Sequence, residues 1–137
     1  MLELVERNGG VVTASLPVDV DFHTGPAIRS AGEALLTDDC RVLILDASSV
    51  ECLDSSGITV ILGFWRRLEA TGGTLILATP DEHVQARLVM LGLDTVLSVT
   101  DSVTKARVMA HRTARADTPG ARLHALPGTA DTEAEAG

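Results

Sequence analysis

Two unbroken aliphatic runs constrain this chain more than any other feature. Val42-Leu43-Ile44-Leu45, closed by Asp46, and Leu75-Ile76-Leu77-Ala78, opened by Thr74, contain no polar residue at all. Runs this short and this apolar read as strands buried inside a sheet. Between them, residues 55–71 follow a helical pattern that Gly72-Gly73 ends as a C-cap. Strand, helix and strand in that order form the unit from which parallel sheets are built.

The flanking sequence extends the pattern. Residues 2–6 and 11–16 are strand-like and enclose Asn8-Gly9-Gly10, a hairpin signal because these residues tolerate positive φ. Residues 26–36 read as a helix with Thr24 as N-cap, Pro26 early, and Ile28, Leu35 and Leu36 on its inner face. Residues 81–91 predict a third helix, with Val84, Leu88 and Leu91 turned inward and Gly92 after it. A short strand over 96–99 and a helix over 101–111, capped by Asp101 or Ser102, complete the series. The order β-β-α-β-α-β-α-β-α predicts one α/β domain over residues 1–112. Residues 113–137 hold two Pro-Gly pairs, with Leu123 and Leu126 as the only large apolar side chains. They read as a disordered tail, unable to bury enough surface to offset its chain entropy.

At 137 residues the chain suits one domain, and a hydrophobic content of 45% supplies an aliphatic core. Eleven basic against 19 acidic groups give a net charge of −8, and Phe22, Phe64 and Trp65 are the only aromatics. Such a chain is poorly made for gripping nucleic acid through phosphates and stacking, and anionic membrane surfaces should repel it. Cys40 and Cys52 fit the thiols of a reducing cytoplasm rather than a disulfide framework. His23, His83, His111 and His124 are scattered, and neither CxxC nor HExxH occurs, so no metal site is expected. The opening residues lack a basic-then-apolar leader, and the apolar runs are too short to span a bilayer. The expectation is a soluble, cytoplasmic protein.

Chemistry concentrates in Leu53-Asp54-Ser55-Ser56-Gly57-Ile58, where a loop enters the second helix. Helix N-termini present unpaired amides and the positive end of the dipole. There Asp54 or Ser55 can act as a plain N-cap, worth about 1 kcal/mol. A phosphorylated serine would instead set about two negative charges against the same amides, beside Asp54. Spacing alone favours the cap. On a helical wheel Ile58, Ile61, Leu62, Trp65 and Leu68 form the core stripe, while Ser56, Val60, Gly63, Phe64 and Arg67 fall on a separate one. Val60 and Phe64 either pack under a neighbouring segment or offer an apolar face to a partner protein. Asp21-Phe22-His23-Thr24 can form the turn and N-cap of the first helix. An Asp beside a His also raises a serine hydrolase with Ser55 and His23, but GxSxG and an oxyanion loop are both missing. No Walker or dinucleotide glycine motif occurs.

These residues together resemble a STAS domain of the anti-sigma factor antagonist family, over about residues 4–110. The stretch Leu53-Asp54-Ser55-Ser56-Gly57-Ile58-Thr59-Val60-Ile61-Leu62-Gly63 is similar to the family's D-S-S-G helix start and its small-aliphatic continuation. Asp21-Phe22-His23-Thr24 matches the family's Asp-x-x-Thr, Val42 to Asp46 its central strand, and Gly72-Gly73-Thr74-Leu75 the approach to the next. The resemblance implies a mixed sheet with helices mainly on one side, and a non-enzymatic partner switch. In that switch the unphosphorylated protein binds an anti-sigma factor that is also a GHKL-type serine kinase, and a sigma factor is released. ATP and Mg²⁺ belong to the kinase, so the chain itself needs no cofactor. Phosphorylation ends the complex, and a PP2C-type phosphatase restores it. Carried onto this sequence, the acceptor is Ser55 with Ser56 beside it, and Asp21, Thr24, Asp54, Ser56, Gly57, Val60 and Phe64 are expected on the docking face. Val18, where relatives usually have Gly, and Phe64, where they often have a polar or basic residue, depart from the pattern near that face. The alternative within the same family is an adaptor that never switches, a stress-complex or lipid-transport accessory.

Overall fold

The structure, a computed structural model, describes residues 2–78 and 80–116. β1 (Glu3–Asn8) and β2 (Val11–Ser15) form the expected hairpin, turning on Gly9 and Gly10 at φ +58° and +87°. A two-residue strand β3 (Asp19–Val20) leads to α1 (Gly25–Leu35), followed by β4 (Val42–Asp46) and a second two-residue strand, β5 (Cys52–Leu53). Then come α2 (Ser55–Ala70), β6 (Thr74–Ala78), α3 (Glu82–Met90), a 3-10 turn (Leu93–Thr95), β7 (Ser98–Thr100) and α4 (Val103–Ala116). The main sheet runs β1-β2-β4-β6-β7. β1 is antiparallel to β2 and every other pairing is parallel, which makes the sheet mixed.

Register explains why the aliphatic runs are unbroken. Leu43 stands between Val12 and Leu75, and Leu45 between Ala14 and Leu77; these six face one layer of helices with Ile28, Ile61, Leu68, Val84 and Leu88. The alternate residues Val11, Val42, Ile44, Ile76 and Ala78 face α4, which rests on them through Ala106 and Ala110. With both faces covered, neither parity of β4 or β6 faces solvent, and both runs are apolar. Each fully buried aliphatic side chain contributes about 1.5–3 kcal/mol. Three helices therefore share one side and α4 takes the other, in keeping with a fold whose helices lie mainly on one side. No helix among the described residues is long and apolar enough to cross a membrane.

Several expectations shift. Leu91 is not on the inner face of the third helix; it is 51% exposed, because α3 stops at Met90 and the chain turns away at Gly92 with φ +74°. The last strand begins later than residue 96, since the turn at Leu93–Thr95 intervenes. α4 continues to Ala116, four residues past the expected boundary. The remainder of the expected disordered tail, 117–137, lies outside the described residues.

Candidate functional site

The polar stretches singled out above meet at one end of the sheet. β3 and β5 pair in parallel, Asp19 opposite Cys52 and Val20 opposite Leu53. The Val18 carbonyl accepts the Glu51 and Cys52 amides at 2.8 and 3.1 Å, and the Val20 carbonyl accepts the Asp54 amide at 3.2 Å. This small second sheet clamps the Asp21 loop to the start of α2. Sequence reasoning missed it, since two-residue strands carry no periodicity. Val18 contributes mainly its backbone; its side chain is 45% exposed.

Asp54 is the N-cap of α2. Its backbone is extended (φ −101°, ψ −177°), and Oδ1 accepts the Gly57 amide at 3.0 Å. Oδ2 reaches across the chain and accepts the Phe22 amide at 3.3 Å, so one carboxylate ties both loops together. Gly57 is buried and has no room for a side chain: a Cβ there would stand 2.1 Å from the Val20 carbonyl oxygen. The glycine thus serves the close approach of α2 to β3 and presents no side chain to a partner. Ser55, at the first helical position, is exposed, while Ser56 is half-buried on the rim of a cleft with Phe22, Gly25, Arg29 and Thr59.

The Asp21 loop is organised by its own polar groups. Asp21 Oδ1 accepts the amides of His23 at 2.9 Å and Thr24 at 3.0 Å. The Thr24 hydroxyl donates to the Asp19 carbonyl at 2.8 Å and accepts the Asp21 amide at 3.0 Å. Thr24 occupies the N-cap position of α1, but its side chain makes no cap bond, because the hydroxyl is spent on closing this loop. The Thr24 amide, followed by the His23 amide, the Thr24 hydroxyl and the His23 charge, holds the Asp21 carboxyl below its ordinary value of 3.8 against a smaller opposing effect of burial. Asp19, Asp21 and Cys52 bring one possible metal-binding atom each within 4.8 Å of one another. The β3–β5 pairing accounts for that proximity, and Asp21 already accepts two amides.

Two members of the expected docking face point inward. Val60 and Phe64 are only 4% and 3% exposed. Phe64 lies against Gly32 of α1, where a Cβ would come within 2.1 Å of the ring, and Val60 lies against Gly25. α2 therefore buries two stripes, one on the sheet and one on α1, and the second is core rather than a sticky face. The departure at Phe64 is an interior matter for the same reason. The apolar group that does face solvent is Phe22, 72% exposed and edge-on to the His23 ring at 5.8 Å. The signal for it was an aromatic set among polar residues in a loop. No hydrogen bond joins His23 to Ser55 or Ser56 among the described residues, which leaves the hydrolase pairing without a geometric basis.

Comparison with known proteins bears on both the fold and this site. The STAS domain model matches residues 4–106. An anti-sigma F factor antagonist from Paenibacillus polymyxa is 28% identical over 103 residues, covering 74% of this chain and 88% of that protein. Among solved structures, the anti-sigma factor antagonist SpoIIAA in its unphosphorylated form superposes with a TM-score of 0.71 at 24% identity, over 82% of this chain and 97% of that one. The Bacillus cell fate determinant SpoIIAA in its phosphorylated form gives 0.64 at 23% identity, over 80% and 98%. With its mixed sheet, its Asp-Ser-Ser-Gly helix start and a family match across nearly all of the described residues, the chain belongs to the STAS domain family, and the relatives it matches are named anti-sigma factor antagonists.

Proposed function

We propose that this protein is an anti-sigma factor antagonist that works by partner switching. Unphosphorylated, it binds an anti-sigma factor that is also a GHKL-type serine kinase, and a sigma factor goes free. Phosphorylation of Ser55 with ATP and Mg²⁺ held by that kinase ends the complex, and a PP2C-type phosphatase reverses it. The observation that carries the proposal is the contrast at the start of α2. Ser55 stands exposed at the first helical position, while Asp54, Gly57 and the Asp21 loop around it are locked by hydrogen bonds and close contact. The names of the matched relatives and the existence of SpoIIAA in both phosphorylation forms support the same reading.

The physics of the switch follows from the locked surroundings. Asp54 already occupies the Gly57 amide, so a phosphate on Ser55 gains little from the helix N-terminus and meets a fixed carboxylate beside it. It projects into the docking face instead, where a dianion trapped against a partner costs several kcal/mol of desolvation. Each 1.4 kcal/mol is about tenfold in affinity, so one phosphate is enough to empty the complex.

The test is intact-mass and phosphopeptide analysis after incubation with ATP, Mg²⁺ and extract of the source cells, beside Ser55→Ala and Ser56→Ala. One added phosphate that disappears only in Ser55→Ala is the expected result. A phosphate that survives in Ser55→Ala but not in Ser56→Ala would move the acceptor. No phosphate on any variant would favour an adaptor that never switches.

A further inference from the structure

Alongside the serines, α1 and α2 leave an open groove of about 390 Å³ floored by Val60 and Phe64. It shares Arg29, Thr59 and Val60 with the cleft at Ser56 and Phe22, so the two form one track. Its walls carry Arg29, Arg66 and Arg67 against a single acid, Glu33. Arg67 Nη2 is engaged by the Leu36 carbonyl at 3.4 Å, but Arg29 and Arg66 make no ion pair among the described residues. The track is open at Gly63, where even a Cβ would meet nothing within 4 Å. In a chain of net charge −8, this is a local reversal of sign. Such a groove attracts an acidic segment.

We propose that the occupant is the chain's own acidic stretch Asp131-Thr132-Glu133-Ala134-Glu135, folded back over the α1–α2 groove of the same molecule. The charges are complementary: three carboxylates in five residues, with no Lys or Arg after Arg122. Their alternation with Thr132 and Ala134 puts all three on one side of an extended segment. Reach is sufficient. α4 lies across the sheet from the groove, and the residues between Ala116 and Asp131 span up to about 46 Å when extended. A domain of this size has a radius of gyration of only about 13 Å. The segment then covers the rim at Ser56 and Phe22 and competes with a docking partner. That regulatory consequence rests on the proposed function, whereas the contact itself does not.

The experiment uses full-length ¹⁵N-labelled protein and the triple variant Asp131→Asn, Glu133→Gln, Glu135→Gln. The Thr59 and Gly63 amide signals are expected to differ between the two proteins. Raising NaCl from about 0.05 to 0.5 M should move the wild-type signals toward the variant positions and leave the variant unchanged, because salt screens the pairing. Combining Arg29→Glu and Arg66→Glu with Asp131→Lys, Glu133→Lys and Glu135→Lys should restore the wild-type salt response. Identical Thr59 and Gly63 signals in wild type and triple variant would overturn the proposal. So would a salt response that persists in the triple variant, which would assign the groove to another anion. Signals that change on dilution would overturn it too, by placing the segment on a second copy. None of these outcomes depends on whether Ser55 is phosphorylated.

Discussion

α2 and α3 begin with the same device and differ in what surrounds it. Asp54 Oδ1 takes the Gly57 amide at 3.0 Å, and Asp81 Oδ1 takes the Val84 amide at 2.8 Å. At α3 the capping residue is followed by Glu82, which complements the helix dipole, and the capped residue is an ordinary buried valine. At α2 the first turn carries no acid, only two serines, and the capped residue is a glycine pressed against the Val20 carbonyl. The second oxygen of Asp54 leaves its own helix to hold the Phe22 amide. A cap is thus a local matter that the sequence spells equally well in both places. What distinguishes α2 is its tertiary contact with the β3–α1 loop, which leaves Ser55 as the free group on a fixed background.

The comparison breaks most easily at Gly57. Alanine there would drive its Cβ toward the Val20 carbonyl oxygen, 2.1 Å away. Either the helix start or β3 must move, at a cost of about 3 kcal/mol. Chemical denaturation measures it, and a loss below about 1 kcal/mol would mean that the two segments are not held together. A smaller and sharper contrast comes from the caps themselves. Asp81→Ala should cost about 1 kcal/mol, and Asp54→Ala about 0.5–1 kcal/mol more, because the Phe22 amide also loses its partner. Equal losses would show that the bridge to Phe22 is idle.

Smallest is the pH effect of Asp21. Folding lowers its pKa, so the stability it provides is complete above the unfolded value of 3.8 and fades as pH falls below it. Wild type should therefore lose stability more steeply than Asp21→Asn below about pH 4. Parallel acid limbs in urea titrations at several pH values would contradict this.

The framework of this fold was legible because it rests on signals that survive without tertiary context. The aliphatic runs of β4 and β6, the glycine turn between β1 and β2, and the helix over α2 all stand where spacing placed them. What escaped depends on which elements meet. β3 and β5 exist only because their loops lie side by side. Val60 and Phe64 belong to a second buried stripe that a wheel with one core side cannot assign, although Gly32 inside α1 carried the hint. A glycine costs a helix interior about 1 kcal/mol, and here the vacant Cβ position receives the Phe64 ring. Thr24 stands at the N-cap of α1 as its spacing predicts, but a hydroxyl before a helix has two uses, and here it closes the Asp21 loop instead of bonding the helix amides. At the site, sequence singled out the serines and both aspartates, while the exposure of Phe22 and the clamp between the loops became apparent only in three dimensions.

The central claim is that one phosphate on Ser55 governs docking at this face. The direct measurement is the affinity of the proposed anti-sigma factor partner, once purified, for the unphosphorylated protein, for the Ser55-phosphorylated protein and for Ser55→Ala. Ser55 is exposed, so the alanine variant should keep its stability within about 0.5 kcal/mol. The account predicts that Ser55→Ala binds like the unphosphorylated protein and that the phosphorylated form binds about a hundredfold or more weakly. Equal affinity of the phosphorylated and unphosphorylated forms would contradict it.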